Sequence, residues 1–168
     1  MPTSDPAVIP VIVNKLFEFS PKTILDVGVG FGKWGVLCRE YMEIWQNHKY
    51  KKEKWKTTID GIEIFKNYWN PMYEFIYNNV WFGNVMDFLE NMKFYGVVLL
   101  IDVLEHLSKV DGVKLLESIP NHYIVSTPNG FTNQGAKFGN EHETHISSWQ
   151  DYGFTNKIIV GNQIVAWK

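Results

Sequence analysis

The chain has 168 residues, 45% of them hydrophobic and 15% aromatic, with 16 basic against 18 acidic side chains. This length and apolar content predict one folded domain, residues 1–168, and the net charge of −2 excludes a broadly basic nucleic-acid-binding protein. The longest aliphatic run, Val97 to Ile101, is too short to cross a bilayer, and no basic residue precedes Lys15 to begin a signal peptide. We therefore expect a cytoplasmic protein with no membrane association. Its single cysteine, Cys38, excludes an internal disulfide.

The first half of the chain alternates between helix and strand patterns. An apolar stripe at helical spacing over residues 6–19 predicts an N-terminal docking helix within residues 1–20. Residues 23–27 form a strand pattern that leads into a glycine-rich turn and then into a helical pattern. A lysine-rich stretch at 49–56 precedes a second strand pattern at 57–64, and an aromatic helix is predicted next. Its apolar residues are Tyr68, Met72, Phe75 and Ile76.

The second half continues this alternation and closes with a hairpin pattern. The aliphatic run 97–101 predicts a central strand buried on both faces, and residues 131–144 form the longest irregular stretch. The other predicted elements are strands at 80–83, 123–126, 157–160 and 164–167 and helices at 87–92 and 109–119. This order predicts an α/β fold: a doubly wound Rossmann-like sheet, mostly parallel with a C-terminal antiparallel hairpin strand.

The turn from Asp26 to Gly32 is the expected ligand site, because open α/β sheets bind ligands beyond the carboxyl ends of their strands. A nicotinamide dinucleotide motif that begins at Gly28 requires a glycine where this chain has Lys33. Asp26 stands two residues before the first glycine, where a carboxylate would repel a pyrophosphate and attract a sulfonium or an amino group. The turn therefore favours a positively charged ligand over a dinucleotide.

Three motifs at successive strand ends resemble those of class I S-adenosylmethionine (SAM)-dependent methyltransferases, and together they span nearly the whole chain. Ile24 to Gly32 is similar to the D-x-G-x-G-x-G motif, Gly61 to Ile64 supplies the acid after the second strand, and Asp102 to Leu107 is similar to the D-V-L-E-H signature. The resemblance implies SAM as the cofactor. The implied cofactor-binding residues are Asp26, Gly28, Gly30, Gly32, Glu63, Asn84, Val85, Asp87 and Asp102.

The resemblance also implies a role for several of these residues. Asp26 and the glycine loop would hold the methionine end of the cofactor, and Glu63 would accept both ribose hydroxyls. The family's third-strand motif reads Gly-Asp-Ala, whereas this chain has Asn84 in place of the acid. Either Asn84 or Asp87 is therefore expected to accept from the adenine amino group, while the Val85 N–H serves a ring nitrogen.

Methyl transfer from a sulfonium needs a general base mainly when the acceptor is a hydroxyl. His106, just past the fourth strand, is the leading base because histidine titrates near neutral pH, and Glu105 is the alternative. For both residues a purely structural role stays open. The segment after the fifth strand is rich in groups suited to a polar acceptor. The expected acceptor contacts are Asn129, His142, His145 and Trp149.

Two other chemistries are less favoured by the sequence. His142 and His145 are three residues apart, whereas a zincin helix needs a spacing of four, and with no third ligand evident we expect no metal site. The stretch 49–56 suits a phosphate backbone, but a solvated linker is the simpler interpretation. DNA amino-methylases and C5-cytosine enzymes need an Asn/Asp-Pro-Pro-aromatic motif or a cysteine after the fourth strand, and Cys38 lies elsewhere.

The sequence thus predicts an enzyme that moves a methyl group from SAM to a small-molecule or saccharide acceptor, with an oxygen acceptor favoured. A late stretch, Glu143 to Trp149, resembles one in methyltransferases of surface-polysaccharide or other secondary biosynthesis. Two alternatives stay open: a SAM-binding regulatory module without catalysis, and a nucleic-acid methyltransferase that uses residues 49–56. The sequence leaves the acceptor and the oligomeric state open.

Overall fold

Seven strands form one mixed sheet in the computed structural model, which describes residues 3–168. The strands are β1 (Thr23–Val27), β2 (Thr58–Glu63), β3 (Asn79–Phe82), β4 (Val97–Ile101), β5 (His122–Pro128), β6 (Asn156–Val160) and β7 (Gln163–Trp167). Their order across the sheet is β3-β2-β1-β4-β5-β7-β6. The first five are parallel, and β7 is antiparallel to both of its neighbours. This confirms the predicted doubly wound sheet with a C-terminal hairpin.

Helices and helical turns connect the strands. The α-helices are α1 (Ile9–Phe19), α2 (Lys33–Cys38), α3 (Met72–Ile76) and α4 (Lys109–Ser118). Short 3₁₀ segments include Lys66–Tyr68, Val85–Phe94, Leu104–His106 and Glu141–Glu143. Within residues 3–168, no helix is long and apolar enough to cross a membrane.

Strand β4 shows why the sheet is covered on both faces. All five of its residues are buried, and successive side chains point to opposite faces of the sheet. Val97 and Leu99 pack in the core layer that contains α1, whereas Val98 and Leu100 pack in the layer that contains α4. A continuously aliphatic strand therefore needs a helical layer on each side, as the sequence predicts.

The N-terminal helix α1 packs on the sheet of its own chain. Asp5 caps the turn before the helix by accepting a hydrogen bond of 2.8 Å from the Ala7 N–H. Ile12 and Leu16 are fully buried in the core layer that includes Ile24 of β1. Residues 1 and 2 of the predicted docking segment lie outside the described residues.

Three predicted helices differ in form from the structure. The aromatic helix is divided into a 3₁₀ turn and α3, because Pro71 cannot donate to a helix interior and disfavours helical backbone at the residue before it. Of the apolar residues of that predicted helix, Phe75 is 57% exposed, whereas Tyr68 and Ile76 are buried. After α2 the chain continues as a π-helix, Arg39–Trp45, and the helix predicted at 87–92 is part of a longer 3₁₀ run.

The chain reverses its direction of travel across the sheet at β1. From β1 it moves outward to β2 and β3, then returns to place β4 on the other side of β1. The turns after β1 and β4 therefore leave the sheet toward opposite sides and open a crevice between them. This crevice is the natural ligand site of the fold.

Candidate active site

A cavity of about 800 Å³ lies at the carboxyl ends of β1, β2 and β4. Residues 129–155, between β5 and β6, supply much of its remaining wall and are called the covering segment below. The volume is in the range typical of small-molecule and cofactor sites, about 300–1,000 Å³. The predicted site residues that line it are Gly28, Gly30, Glu63, Asn84, Val85, Asp102, Glu105, His106, His142 and His145.

The glycine loop exposes its backbone to this cavity. Gly28, Gly30 and Gly32 have positive φ angles of 72°, 55° and 92°, which side-chain-bearing residues rarely adopt. A Cβ added to Gly28 would lie 3.0 Å from Cγ2 of Val103, so the turns after β1 and β4 approach too closely for a larger residue. Gly32 begins α2 and does not itself line the cavity. The loop from Gly28 to Gly32, called the glycine cradle below, thus presents bare backbone to the cavity at Gly28 and Gly30.

Glu63 ends β2 and is only 3% exposed. One of its carboxylate oxygens accepts from the Gly30 N–H and the other from the Phe65 N–H, both at 2.8 Å. Burial raises the pKa of Glu63, and the two backbone donors oppose that rise. A carboxylate has about four acceptor sites, so each oxygen keeps one for a ligand hydroxyl. The backbone therefore holds the Glu63 side chain in place, and its carboxylate can still accept hydrogen bonds from a ligand.

The turn after β3 carries the residues expected at the adenine end. The Asn84 side-chain oxygen accepts from the Met86 N–H at 3.0 Å and caps the following 3₁₀ segment. Asn84 and the buried Val85 line the cavity, whereas the exposed Asp87 does not. Of the two residues predicted to contact the adenine amino group, only Asn84 therefore lines the cavity.

The prediction that the Asp26 carboxylate faces the ligand is wrong in this structure. Asp26 is 1% exposed and does not line the cavity; its carboxylate accepts a hydrogen bond of 2.6 Å from the Tyr77 hydroxyl. Burial raises the pKa of Asp26 to about 7, and the repulsion from Glu63 adds to the effect of burial. Its backbone is paired on both sides within the sheet, and the Tyr77 hydroxyl occupies the space beside its carboxylate.

Asp102 occupies a strained position directly after β4. Its φ of 55° is uncommon for a residue with a side chain. The Ser126 hydroxyl donates to its carboxylate at 3.3 Å, and burial raises the pKa of Asp102 to about 6 while the Lys33 ammonium opposes the rise. Strain of this kind persists only where the surroundings hold it, and it is concentrated at functional sites.

Glu105, His106 and His145 form a compact cluster in the cavity wall. One potential ligand atom from each residue lies within 4.8 Å of those of the other two. The His106 and His145 rings meet edge to face with centroids 4.8 Å apart. Burial lowers the pKa of His106, which favours the neutral imidazole. The sequence nominated each of these residues, but it did not predict that two histidines 39 positions apart in the chain would touch.

The covering segment is attached to both sides of the crevice. On one side, the Ile146 N–H donates to the Glu105 carbonyl at 2.8 Å. On the other, the Tyr68 hydroxyl donates to the Glu143 carboxylate at 2.9 Å. The irregular stretch predicted at 131–144 is thus a folded wall of the cavity, with one 3₁₀ turn at Glu141–Glu143.

Two of the four predicted acceptor contacts are wrong. Trp149 is fully buried, and its indole N–H donates to the Leu104 carbonyl at 2.9 Å. Its ring lies so close to α4 that a Cβ added to Gly112 would clash with it. Asn129 is exposed and lies outside the cavity wall. Trp149 therefore anchors the covering segment and cannot stack on a substrate.

Sequence reasoning missed several residues of the site. Lys33 lines the cavity and donates to the Ser4 carbonyl at 2.7 Å, and residues 3–5 also line the cavity. The sequence pattern predicts Tyr68 only as an apolar residue of a helix and predicts no role for Lys137. The position of Lys33 directly after the glycine loop was the one available signal; nothing local to Tyr68 or Lys137 indicates a site.

The lysine-rich stretch 49–56 does not reach the cavity. Lys49 pairs with the buried Glu43 at 2.9 Å, and Lys52 donates to the Glu74 carbonyl at 2.7 Å. These lysines therefore stabilise their own connection.

Comparison with known proteins supports the fold assignment. No protein-family model and no curated protein sequence matches the chain. Among solved structures, a putative caffeoyl-CoA O-methyltransferase from Staphylococcus aureus aligns over 99% of this chain and 84% of its own, with 15% identity and a TM-score of 0.63. The methyltransferase domain of a bacterial Hen1 aligns over 96% of both chains, with 15% identity and a TM-score of 0.59. An rRNA methylase from Escherichia coli aligns over 94% of this chain and 62% of its own, with 14% identity and a TM-score of 0.57.

These matches show that the chain has the fold of class I SAM-dependent methyltransferases.

Proposed function

We propose that the protein is a SAM-dependent methyltransferase that acts on a hydroxyl of a small-molecule or saccharide acceptor. One observation carries the proposal: the glycine cradle and Glu63 share a single cavity with the Glu105–His106 turn. A cofactor held at the first pair would present its reactive end toward the second, since the turns after β1 and β4 are neighbours.

The residues present fit SAM. Gly28 and Gly30 present backbone without a side chain to the cavity, which suits close approach of a nucleoside–amino acid ligand. Glu63 keeps free acceptor sites for two ribose hydroxyls. Asn84 and the Val85 N–H would serve the adenine ring. Asp102, facing the cavity from the β4 end, would contribute negative charge toward the cationic end of the ligand.

When bound, SAM supplies a methyl group on a sulfonium, already activated for displacement. The chain's own contribution is to position the acceptor and to activate its oxygen, and the Glu105–His106 turn is the part of the cavity wall with suitable groups. The His106 Nδ1 contacts the Thr144 carbonyl at 3.2 Å. Because a carbonyl only accepts, Nδ1 carries the proton and Nε2 keeps its lone pair.

The covering segment supports the acceptor class. Apart from Phe138, the groups that it contributes to the cavity are polar side chains of several kinds, suited to a ligand with many hydroxyls. They include Thr132, Gln134, Lys137, Asn140 and His142. The stretch 49–56, which would favour a nucleic-acid acceptor, contributes none of the lining.

Titration calorimetry with SAM, S-adenosylhomocysteine and NAD tests the cofactor. We expect binding of the two sulfur compounds and none of NAD; the reverse result would contradict the proposal. Transfer of labelled methyl from SAM to a panel of saccharides, small alcohols and RNA then tests the acceptor. Tight SAM binding without transfer to any class would favour the non-catalytic regulatory module.

A further inference from the structure

Glu105, His106 and His145 bring three metal-binding groups together from two parts of the chain. Glu105 and His106 follow β4, and His145 comes from the covering segment; their ligand atoms lie within 4.8 Å of one another and all three residues line the cavity. Ligands about 2.1 Å from a common ion lie roughly 3 to 4 Å apart, so the cluster needs to close by only about 1 Å. His142 is not part of this cluster: His145 is joined instead by two groups of the turn after β4.

Both imidazoles have the hydrogen bond at Nδ1 that is common in metal-bound histidines. The His106 Nδ1 contacts the Thr144 carbonyl at 3.2 Å, and the His145 Nδ1 contacts the Thr132 carbonyl at 2.8 Å. Each Nδ1 must therefore donate, which leaves each Nε2 with a free lone pair. Metal-bound histidines almost always donate their other ring N–H to a carbonyl or carboxylate, because this fixes the tautomer and the ring plane.

Within residues 3–168, the Glu105 carboxylate has no cationic partner in a salt bridge. It is 2% exposed, and its side-chain contact is a hydrogen bond of 3.0 Å from the Thr127 hydroxyl. A buried carboxylate is costly unless a cation or a proton balances its charge.

We propose that Glu105, His106 and His145 bind one divalent first-row transition-metal ion, with its open positions facing the cavity. Two imidazoles and one carboxylate suit such ions better than Mg²⁺ or Ca²⁺, which prefer oxygen ligands alone. Metal binding itself depends on these three residues only. The role of the metal rests on the proposed function: the cation would hold the acceptor hydroxyl and lower its pKa.

The methyl transfer step then needs no oxidant or reductant. The acceptor oxygen loses its proton to water and forms a bond to the methyl carbon, while the carbon–sulfur bond breaks and sulfur keeps the electron pair. In this arrangement His106 acts through the cation and does not itself accept the acceptor's proton.

Metal binding is tested directly on the full chain. Protein stripped with a chelator is titrated with Zn²⁺ alone and with Co²⁺ alone, and the bound metal is counted by elemental analysis. We expect one ion per chain, and the visible spectrum of Co²⁺ should show imidazole and carboxylate coordination. His145→Ala and Glu105→Gln should each weaken binding at least tenfold. The matched control is His142→Ala, three residues from His145 on the same segment, and it should bind the ions like the unmodified chain.

SAM affinity, measured on the same samples, shows that the variants are folded and separates the two proposals. Less than one ion per chain, or an unchanged metal affinity in His145→Ala, would overturn the metal site. If those same samples bind SAM, the proposed function is unaffected. One bound ion with no SAM binding would instead overturn the proposed function and support the site. If the site is correct, methyl transfer should fall at least tenfold in stripped protein and return when the ion is added.

Discussion

The Tyr68 hydroxyl donates a hydrogen bond of 2.9 Å to the Glu143 carboxylate and so joins the turn after β2 to the covering segment. Asn140 supports the contact by donating to the same Tyr68 oxygen at 3.3 Å. Burial raises the pKa of Tyr68 to about 12, so this hydroxyl keeps its proton and remains a donor at any physiological pH. Because both residues line the cavity, the contact holds one wall of the site against another.

Replacing Tyr68 with Phe should loosen the covering segment. The change removes one hydrogen bond to a carboxylate, worth about 1.5–3 kcal/mol where the partner is charged. Amide hydrogen exchange over residues 129–145 should become faster in the variant, and an acceptor that is turned over should restore protection. Tyr50→Phe, at a tyrosine that is 73% exposed, is the control and should change nothing. If acceptor instead protects residues 49–56, the acceptor site lies on that stretch and a nucleic-acid substrate is favoured.

Replacing Glu63 with Gln should weaken SAM binding by about 1.5–3 kcal/mol, because charge-assisted hydrogen bonds to the ribose are lost. The amide oxygen of the new side chain would still accept from one backbone N–H, so the loop should keep its shape. Calorimetry gives the affinity, and Glu90→Gln, at a carboxylate that is 96% exposed, is the matched control. An unchanged affinity in a folded Glu63→Gln protein would mean that the ribose is bound elsewhere.

Replacing His106 with Ala should slow methyl transfer by roughly 10²- to 10⁴-fold, since the acceptor oxygen would lose its activating group. SAM affinity should change little, because the cofactor is held by the glycine loop and Glu63. Single-turnover kinetics with saturating SAM isolate the transfer step. His122→Ala, at a histidine outside the cavity, should transfer at the normal rate. A fall of less than about threefold in His106→Ala would make its role structural, with positioning alone carrying the reaction.

The architecture follows from local patterns more readily than the site does. The aliphatic run 97–101 and the glycine-rich turn each have one plausible place in an α/β sheet, and the structure has them there. The motif suggests a ligand contact for both Asp26 and Glu63, which share one face of the sheet because Asp26 is in register with Gly61. Glu63 is the last residue of β2 and lines the cavity, whereas Asp26 lies within β1, where the Tyr77 hydroxyl binds its carboxylate.

The covering segment is the part that no local pattern predicts. Trp149 is a plausible stacking residue in an irregular polar stretch, and only the packing of that stretch on α4 shows it to be an anchor. The meeting of His106 with His145 likewise depends on how a long connection folds back over the β4 end. Such contacts are set by tertiary packing between residues far apart in the chain, for which spacing and propensity carry no signal.

The buried Asp26 should make the stability of the protein depend on pH. Its pKa is about 7 in the folded protein, against about 4 in an unfolded chain. Between these values the folded protein keeps a proton that the unfolded chain has lost, so the free energy of unfolding falls as the pH rises through this window. The full effect of this one group is on the order of 4 kcal/mol, reached above about pH 7.

An Asp26→Asn variant isolates this contribution, because the amide carries no charge and its oxygen can still accept from Tyr77. Urea unfolding of both proteins from pH 4.5 to 8 gives the difference in unfolding free energy at each pH. Relative to the unmodified chain, the variant should gain stability steadily as the pH rises and level off above about pH 7, whereas Glu90→Gln should give a flat difference. A difference that does not change with pH for Asp26→Asn would mean that Asp26 is ionised in the fold, through a rearrangement that brings it water or a cation.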